Sequence, residues 1–233
     1  MKNGILSRDG LSRIEVVTGV TDVYAPIWST NIVDALEGDG WKFAYAQLFR
    51  KNSSAHCVAM KRDDTTIIFL NSYNGTLAFR FYLLADNLAV PVSVGSLERV
   101  IHKGDGAREL DEEFRVNTTE IWDAVQTAKI IHENIRNLKI SESLKNDIID
   151  VVFESVKKTK NFLELDLVIS ERYDTIKGFA EIVIEKYIDG DYLIIKNDHN
   201  SRKGRKITSK FRELTLKNKV FNKILESHPE LLI

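Results

Sequence analysis

Apolar positions change their period part-way along the chain. Between Trp41 and Val94 they alternate with polar or small residues, as half-buried strands require, and after Gly104 they recur every three or four residues, as helices require. Trp41 to Phe49 and Ala55 to Lys61 read as strands joined by the polar turn 51–54. Two further runs flank Asn74-Gly75, a pair that tolerates the positive φ of a two-residue hairpin turn. With that turn, Leu70 faces Phe79 and Ile68 faces Phe81. These four join Leu77 and Leu83 on a buried face, and Phe69, Arg80, Ile67 and Tyr82 take the opposite one. Leu88, Val90, Val92 and Val94 form another strand. Pro91 inside it cannot donate to a ladder, so an edge or a bulge is expected.

Helical patterns follow the same logic. Ser29 or Thr30 is placed to cap a short helix through Leu36, ended by Gly38 and Gly40. Asn117 with Glu120 resembles a capping box, and Ile121, Trp122, Val125, Ala128, Ile135 and Leu138 make one apolar stripe behind it. Ser141 caps a second helix that buries Leu144, Ile148, Val151, Val152 and Val156. A third runs from about 174 to 186, and a last one from about 209 to 226 turns Phe211, Leu214, Phe221, Ile224 and Leu225 inward. The expected fold is therefore α+β, an antiparallel sheet of hairpins over about 41–103 packed against several helices in the C-terminal half. One domain over 1–233 would hold a β-rich core at 28–106, a helical pair at 107–160 and a helical region with a basic segment at 161–233.

A chain of 233 residues buries roughly three quarters of its unfolded surface, enough for a core without disulfide or metal support. The single cysteine, Cys57, excludes an intrachain disulfide and a multi-cysteine zinc site. There is no apolar run of membrane-spanning length and no charged-then-apolar amino terminus, so the expectation is a cytoplasmic protein with no membrane partner. Net charge is −1, but averaging conceals a cluster. From Lys196 to Lys223 ten Lys or Arg stand against Asp198 and Glu213, a local balance of +8. Over a screening length of about 8–10 Å, acidic groups on a distant face would hardly cancel it.

Chemistry-bearing residues are sparse. His56 and Cys57 are adjacent in a strand, point to opposite faces and cannot form a local nucleophile–base pair, which leaves Cys57 as core. His102, Asp105 and His132 lack metal-ligand spacing, and Asp198-His-Asn200 lacks the second histidine of a His-Asn nuclease centre. No glycine-rich phosphate loop is present. No catalytic residue, metal ligand or cofactor is assigned on these grounds. What remains is cationic and aromatic. Arg202, Lys203, Arg205, Lys206, Lys210 and Arg212, with Lys103, could track phosphates, and Arg80 and Tyr82, beside Phe69 on the outer hairpin face, could meet bases. The alternative for the same charges is a solvated loop and helix face.

Leu70-Asn-Ser-Tyr-Asn-Gly-Thr-Leu-Ala-Phe-Arg80, then Arg99-Val-Ile-His-Lys-Gly-Asp105, two helices, and a late helix with Leu216-Lys-Asn-Lys-Val-Phe221 together resemble the phage and plasmid family known as domain of unknown function 932. The order of segments covers most of residues 28–225. The chain departs from that pattern at Ala85 and Leu88, where family members often carry a cysteine and a glycine. The resemblance implies a mobile-element protein in a bacterial cytoplasm, with a distant likeness to Rad52-type single-strand annealing proteins. The function expected is thus sequence-independent binding of single-stranded DNA and annealing by a homo-oligomer. The alternatives are an effector that inhibits a host protein and, third, a metal-dependent nuclease.

Overall fold

The computed structural model describes residues 5–14, 26–49, 54–74, 77–85, 88–92, 118–157, 164–167, 169, 173–197 and 200–232. The fold is α+β, as the change of period requires. Two compact units divide the chain: residues 1–84 with 90–129, and residues 85–89 with 130–233.

The alternating stretch of the first unit becomes an antiparallel sheet ordered β1-β2-β3-β4-β5-β6: β1 Ile5–Leu6, β2 Lys42–Leu48, β3 His56–Arg62, β4 Thr65–Asn71, β5 Arg80–Ala85 and β6 Leu88–Pro91. Pro91 sits on a terminal strand, as its missing N–H demands. The tight hairpin is at Asp63-Asp64. Arg62 pairs with Thr65, and Asp63 takes φ 53°, a left-handed conformation that aspartate tolerates better than most residues. The β4–β5 connection, by contrast, is longer than two residues. Within it the Ser72 hydroxyl accepts from Leu77 N at 3.0 Å. Gly75 of the expected turn, Val94 and the expected cap at Asn117 lie outside the described residues.

That longer connection changes the β4–β5 register. Leu70 pairs with Arg80, Phe69 with Phe81 and Ile68 with Tyr82, one residue away from the two-residue-turn expectation. Phe79 and Phe81 therefore lie with Phe69, at centroid distances of 5.6 and 6.0 Å, instead of with Leu70. A slip of this kind normally exposes an apolar set, but here both faces are covered and Ile67 to Leu70 are all buried.

Helix α1 (Arg8–Leu11) is a single turn, and α2 (Ser29–Gly38) buries Ile32, Val33 and Leu36. Its N-cap is Trp28, with no side-chain cap. The hydroxyl of Ser29, expected to cap, is drawn into the sheet. Asn71 Nδ2 donates to Ser29 Oγ at 2.7 Å, and Ser29 Oγ lies 2.8 Å from His56 Nε2. His56 Nδ1 is 2.6 Å from the Ser54 carbonyl, which only accepts, so Nδ1 carries the proton and Nε2 receives the serine hydroxyl. The Tyr73 hydroxyl accepts from Ser29 N at 2.9 Å. Ser29, Ser54, His56, Asn71, Ser72 and Tyr73 are all buried, so the network ties the start of α2 to β3 and β4 with polar bonds shielded from water. Helix α3 (Thr118–Arg136) gives its first part to this unit, where Arg62 lies 4.2 Å over the Trp122 ring and Trp122 meets Trp41 edge-on.

The second unit holds the end of α3, then α4 (Glu142–Lys157), α5 (Ile176–Asp189) and α6 (Lys210–Ser227), and closes on a 3-10 turn, Pro229–Leu232. Its core is Ile135, Leu144, Ile148, Phe153, Phe179, Val183, Ile184, Leu214, Val220, Phe221 and Ile224. Ser141 Oγ accepts from Leu144 N, as its sequence position predicts, and Ser209 Oγ accepts from Arg212 N at the start of α6. The segment 161–233 is not helical throughout. A three-stranded antiparallel sheet interrupts it: β7 (Glu164–Asp166), β8 (Leu193–Asn197) and β9 (Asn200–Lys203). These strands are three to five residues long, too short to show a period against the helical patterns around them.

Candidate nucleic-acid interface

The small sheet carries the basic segment. β8 and β9 form a hairpin in which Leu193 pairs with Lys203 and Ile194 with Arg202, so these two cations leave opposite faces of the ribbon. Arg205 and Lys206 follow directly in the chain.

Two glycines hold this segment against the end of α5. Gly190 caps α5 in the left-handed conformation (φ 75°), and a Cβ built there would stand 2.9 Å from the backbone of Arg205 and Lys206. Gly204 lies flat on the Tyr192 ring, its N–H donating to the Tyr192 carbonyl at 2.8 Å. Ile207 N then bonds Ile188 O at 2.7 Å. The basic stretch is thus anchored along its backbone while its cationic side chains remain exposed.

Aromatic rings lie beneath it. Tyr192 stacks on Tyr187 with centroids 5.7 Å apart and planes 17° from parallel, and Phe153 meets both edge-on at 4.9 and 5.0 Å. The Tyr187 hydroxyl is 2.8 Å from Ser155 Oγ. Burial raises the Tyr192 phenol above its usual range, and the neighbouring Tyr187 adds to this. The main-chain N–H of Arg205 and the Arg202 charge act in the opposite sense.

Charge pairing divides the cluster. Arg202, Lys203 and Arg205 are exposed, and no carboxylate among the described residues lies within ion-pair distance of them. Lys206 pairs with Asp189 at 2.9 Å, at the negative end of α5. A hydrogen bond and the charge of Lys186 hold Asp191 below the ordinary carboxylate range, with a smaller contribution from Lys203. On α6, Glu213 receives Lys210 and Lys217, both at 2.8 Å. Burial alone would raise the Glu213 carboxyl, but those two lysines carry it below its usual value. Lys219 pairs with Glu154, and Lys223 with Glu226 and Asp147.

The residues chosen from sequence therefore separate. Arg202, Lys203, Arg205 and Lys206 follow one another along one exposed stretch, Arg202 and Lys203 on opposite faces of the ribbon, and Lys210 and Arg212 open α6, with Lys210 engaged by Glu213. Lys103 lies outside the described residues, as do His102, Asp105 and Asp198. Tyr82 is 4% exposed and Phe69 fully buried, so the expected aromatic outer face of the hairpin does not exist. The one-residue register change and the covering of both faces are the physical reasons. Arg80 is half-buried, its guanidinium 3.5 Å from the Tyr82 hydroxyl. The aromatic residues that do adjoin the cations, Tyr187 and Tyr192, are not among those the sequence pattern marks. Their position on either side of Asp189-Gly190-Asp191 is the available signal, but it becomes readable only with the β8–β9 hairpin in place.

Other chemistry finds little support. The Ser29–His56 distance is that of a nucleophile and its base, but both residues are fully enclosed, which leaves a substrate no route to Oγ. Among the described residues no three His, Cys, Asp or Glu gather as metal ligands, and no helix is long and apolar enough to cross a membrane. No family model, no curated protein and no solved structure matches this chain.

Proposed function

We propose that this chain binds single-stranded nucleic acid without sequence preference through the β8–β9 hairpin, and that in the cell the strand is DNA undergoing annealing, the protein acting as an oligomer. One observation carries the reading: Arg202, Lys203 and Arg205 project from a glycine-anchored backbone, exposed and without a described carboxylate partner. Such groups can exchange condensed counterions for phosphates. The annealing part and the bacterial setting rest on the resemblance in segment order alone, which no family model matches.

Fluorescence anisotropy with a labelled oligonucleotide across a salt series tests the binding. Three phosphate contacts at about −0.7 each give a slope of log K against log salt near ~−2, or about 20-fold weaker binding between 50 and 200 mM. Ten contacts, the count of Lys and Arg between Lys196 and Lys223, would give ~−7, so the slope also measures how many ion pairs stay closed. The triple variant Arg202→Glu, Lys203→Glu, Arg205→Glu should not bind. Absence of wild-type binding at 50 mM, or equal binding by the variant, overturns the proposal. Absence of wild-type binding favours a second reading, an effector that docks on a host protein, which the mixed-charge face of Asp147, Glu154, Lys219, Lys223 and Glu226 suits, whereas equal binding by the variant moves the nucleic-acid site off the hairpin.

A further inference from the structure

We infer that Tyr187 is a stacking platform for an unpaired nucleobase, so that this hairpin prefers base-bearing single strands to bare polyanions of equal charge. The inference rests on the nucleic-acid reading above and adds the ligand's second recognised group.

The Gly204 backbone lies against the Tyr192 ring, and Tyr187 stacks nearly parallel to that ring. Phe153 braces both tyrosines edge-on, and Ser155 holds the Tyr187 hydroxyl. A stack that served only the core would bury both rings. Here Tyr192 is 8% exposed, whereas Tyr187 keeps part of its surface in solvent and bonds an exposed serine.

Three properties of Tyr187 match what a base needs. Its ring is fixed on one side by Tyr192, at an edge by Phe153 and at the hydroxyl by Ser155, so little rotamer freedom is lost when a base arrives. Every base has a π-face, so stacking adds affinity without reading sequence. Arg205 directly follows Gly204, whose backbone lies against the adjoining Tyr192, and Arg202 stands two residues before it, so the phosphates flanking a stacked base would meet this exposed stretch. Cations alone would accept any polyanion. A fixed ring beside them selects a strand whose bases are free to leave their partners.

The test compares a labelled thymidine oligonucleotide with an abasic strand of equal length and charge, each titrated with the full chain. Wild type should bind the base-bearing strand about 5- to 150-fold more tightly, the range for one stacked base. Tyr187→Leu should erase that preference, and Tyr187→Trp should keep it. Equal binding of the two strands by wild type overturns the inference and leaves the cationic reading standing, and this comparison needs no variant to fold. Loss of the preference in Tyr187→Trp also overturns it. Failure of wild type to bind either strand overturns the nucleic-acid reading itself, and this inference with it.

Discussion

Replacing Gly204 with alanine probes the contact that seats the basic hairpin. The added Cβ would fall within 2.7 Å of three Tyr192 ring carbons, well inside van der Waals contact, so ring or backbone must shift. The ring has little room: Tyr187 covers it in parallel stacking and Phe153 meets it edge-on. Overpacking of this kind costs about 1–3 kcal/mol, and disturbing the tyrosine stack adds about 0.5–1.5 kcal/mol, so Gly204→Ala should lose about 2–4 kcal/mol. Urea denaturation of the wild type, Gly204→Ala, Tyr192→Leu and the double variant measures it as a cycle. Leucine removes the ring carbons that the methyl strikes, so the alanine should cost less than about 1 kcal/mol in that background. A Gly204→Ala variant as stable as wild type, or one whose cost persists unchanged when Tyr192→Leu is also present, would show that the glycine does not lie on the Tyr192 ring.

Two further outcomes follow from buried polar groups. Ser29→Ala removes the partner of His56 Nε2 and one acceptor of Asn71 Nδ2 in a fully buried network, and should cost about 1–3 kcal/mol in denaturant titration; a loss below about 0.5 kcal/mol would show the network to be dispensable. Glu213→Gln strips the counter-charge from Lys217, which is 7% exposed, and should destabilise by about 2–3 kcal/mol at neutral pH, somewhat below the usual cost for a fully enclosed pair because Glu213 is itself partly solvated. The folded Glu213 carboxyl titrates below its ordinary value of 4.5, so its contribution is complete above that pH and is lost as pH falls through the depressed value. Wild type and Glu213→Gln should therefore converge in acid, and a stability gap that is constant from neutral pH to about pH 2 contradicts the assignment.

Long periodic segments were legible in the sequence. The stripe Ile121, Val125, Ala128 and Ile135 is buried, Ser141 accepts a hydrogen bond at the start of its helix, and Pro91 occupies a terminal strand. Each of these depends on neighbours within a turn or two. The β4–β5 register was not legible, because it depends on whether Asn74-Gly75 closes a two-residue turn. Ser72 instead bonds Leu77 and Tyr73 is drawn into the core, which widens the connection and shifts every pair by one. Nor was the β7–β8–β9 sheet, whose strands are too short to outweigh the helices beside them. The candidate site was half visible for the same reason. Charge density along the chain marked Arg202, Lys203 and Arg205, but which carboxylates quench Lys206, Lys210, Lys219 and Lys223 is a matter of helix packing, and so is the meeting of Tyr187 with Tyr192.

The ends of the six-stranded sheet have a bearing on colloidal behaviour. Among the described residues β1 contributes two residues of ladder, and β6 contains Pro91, which has no N–H to present. A short strand and a proline are the usual means by which proteins keep sheet margins from templating foreign strands. Polymerisation by continued strand addition, the route to cross-β deposits, is thereby discouraged at both margins, even though Ile5 leaves a large aliphatic side chain uncovered at one of them.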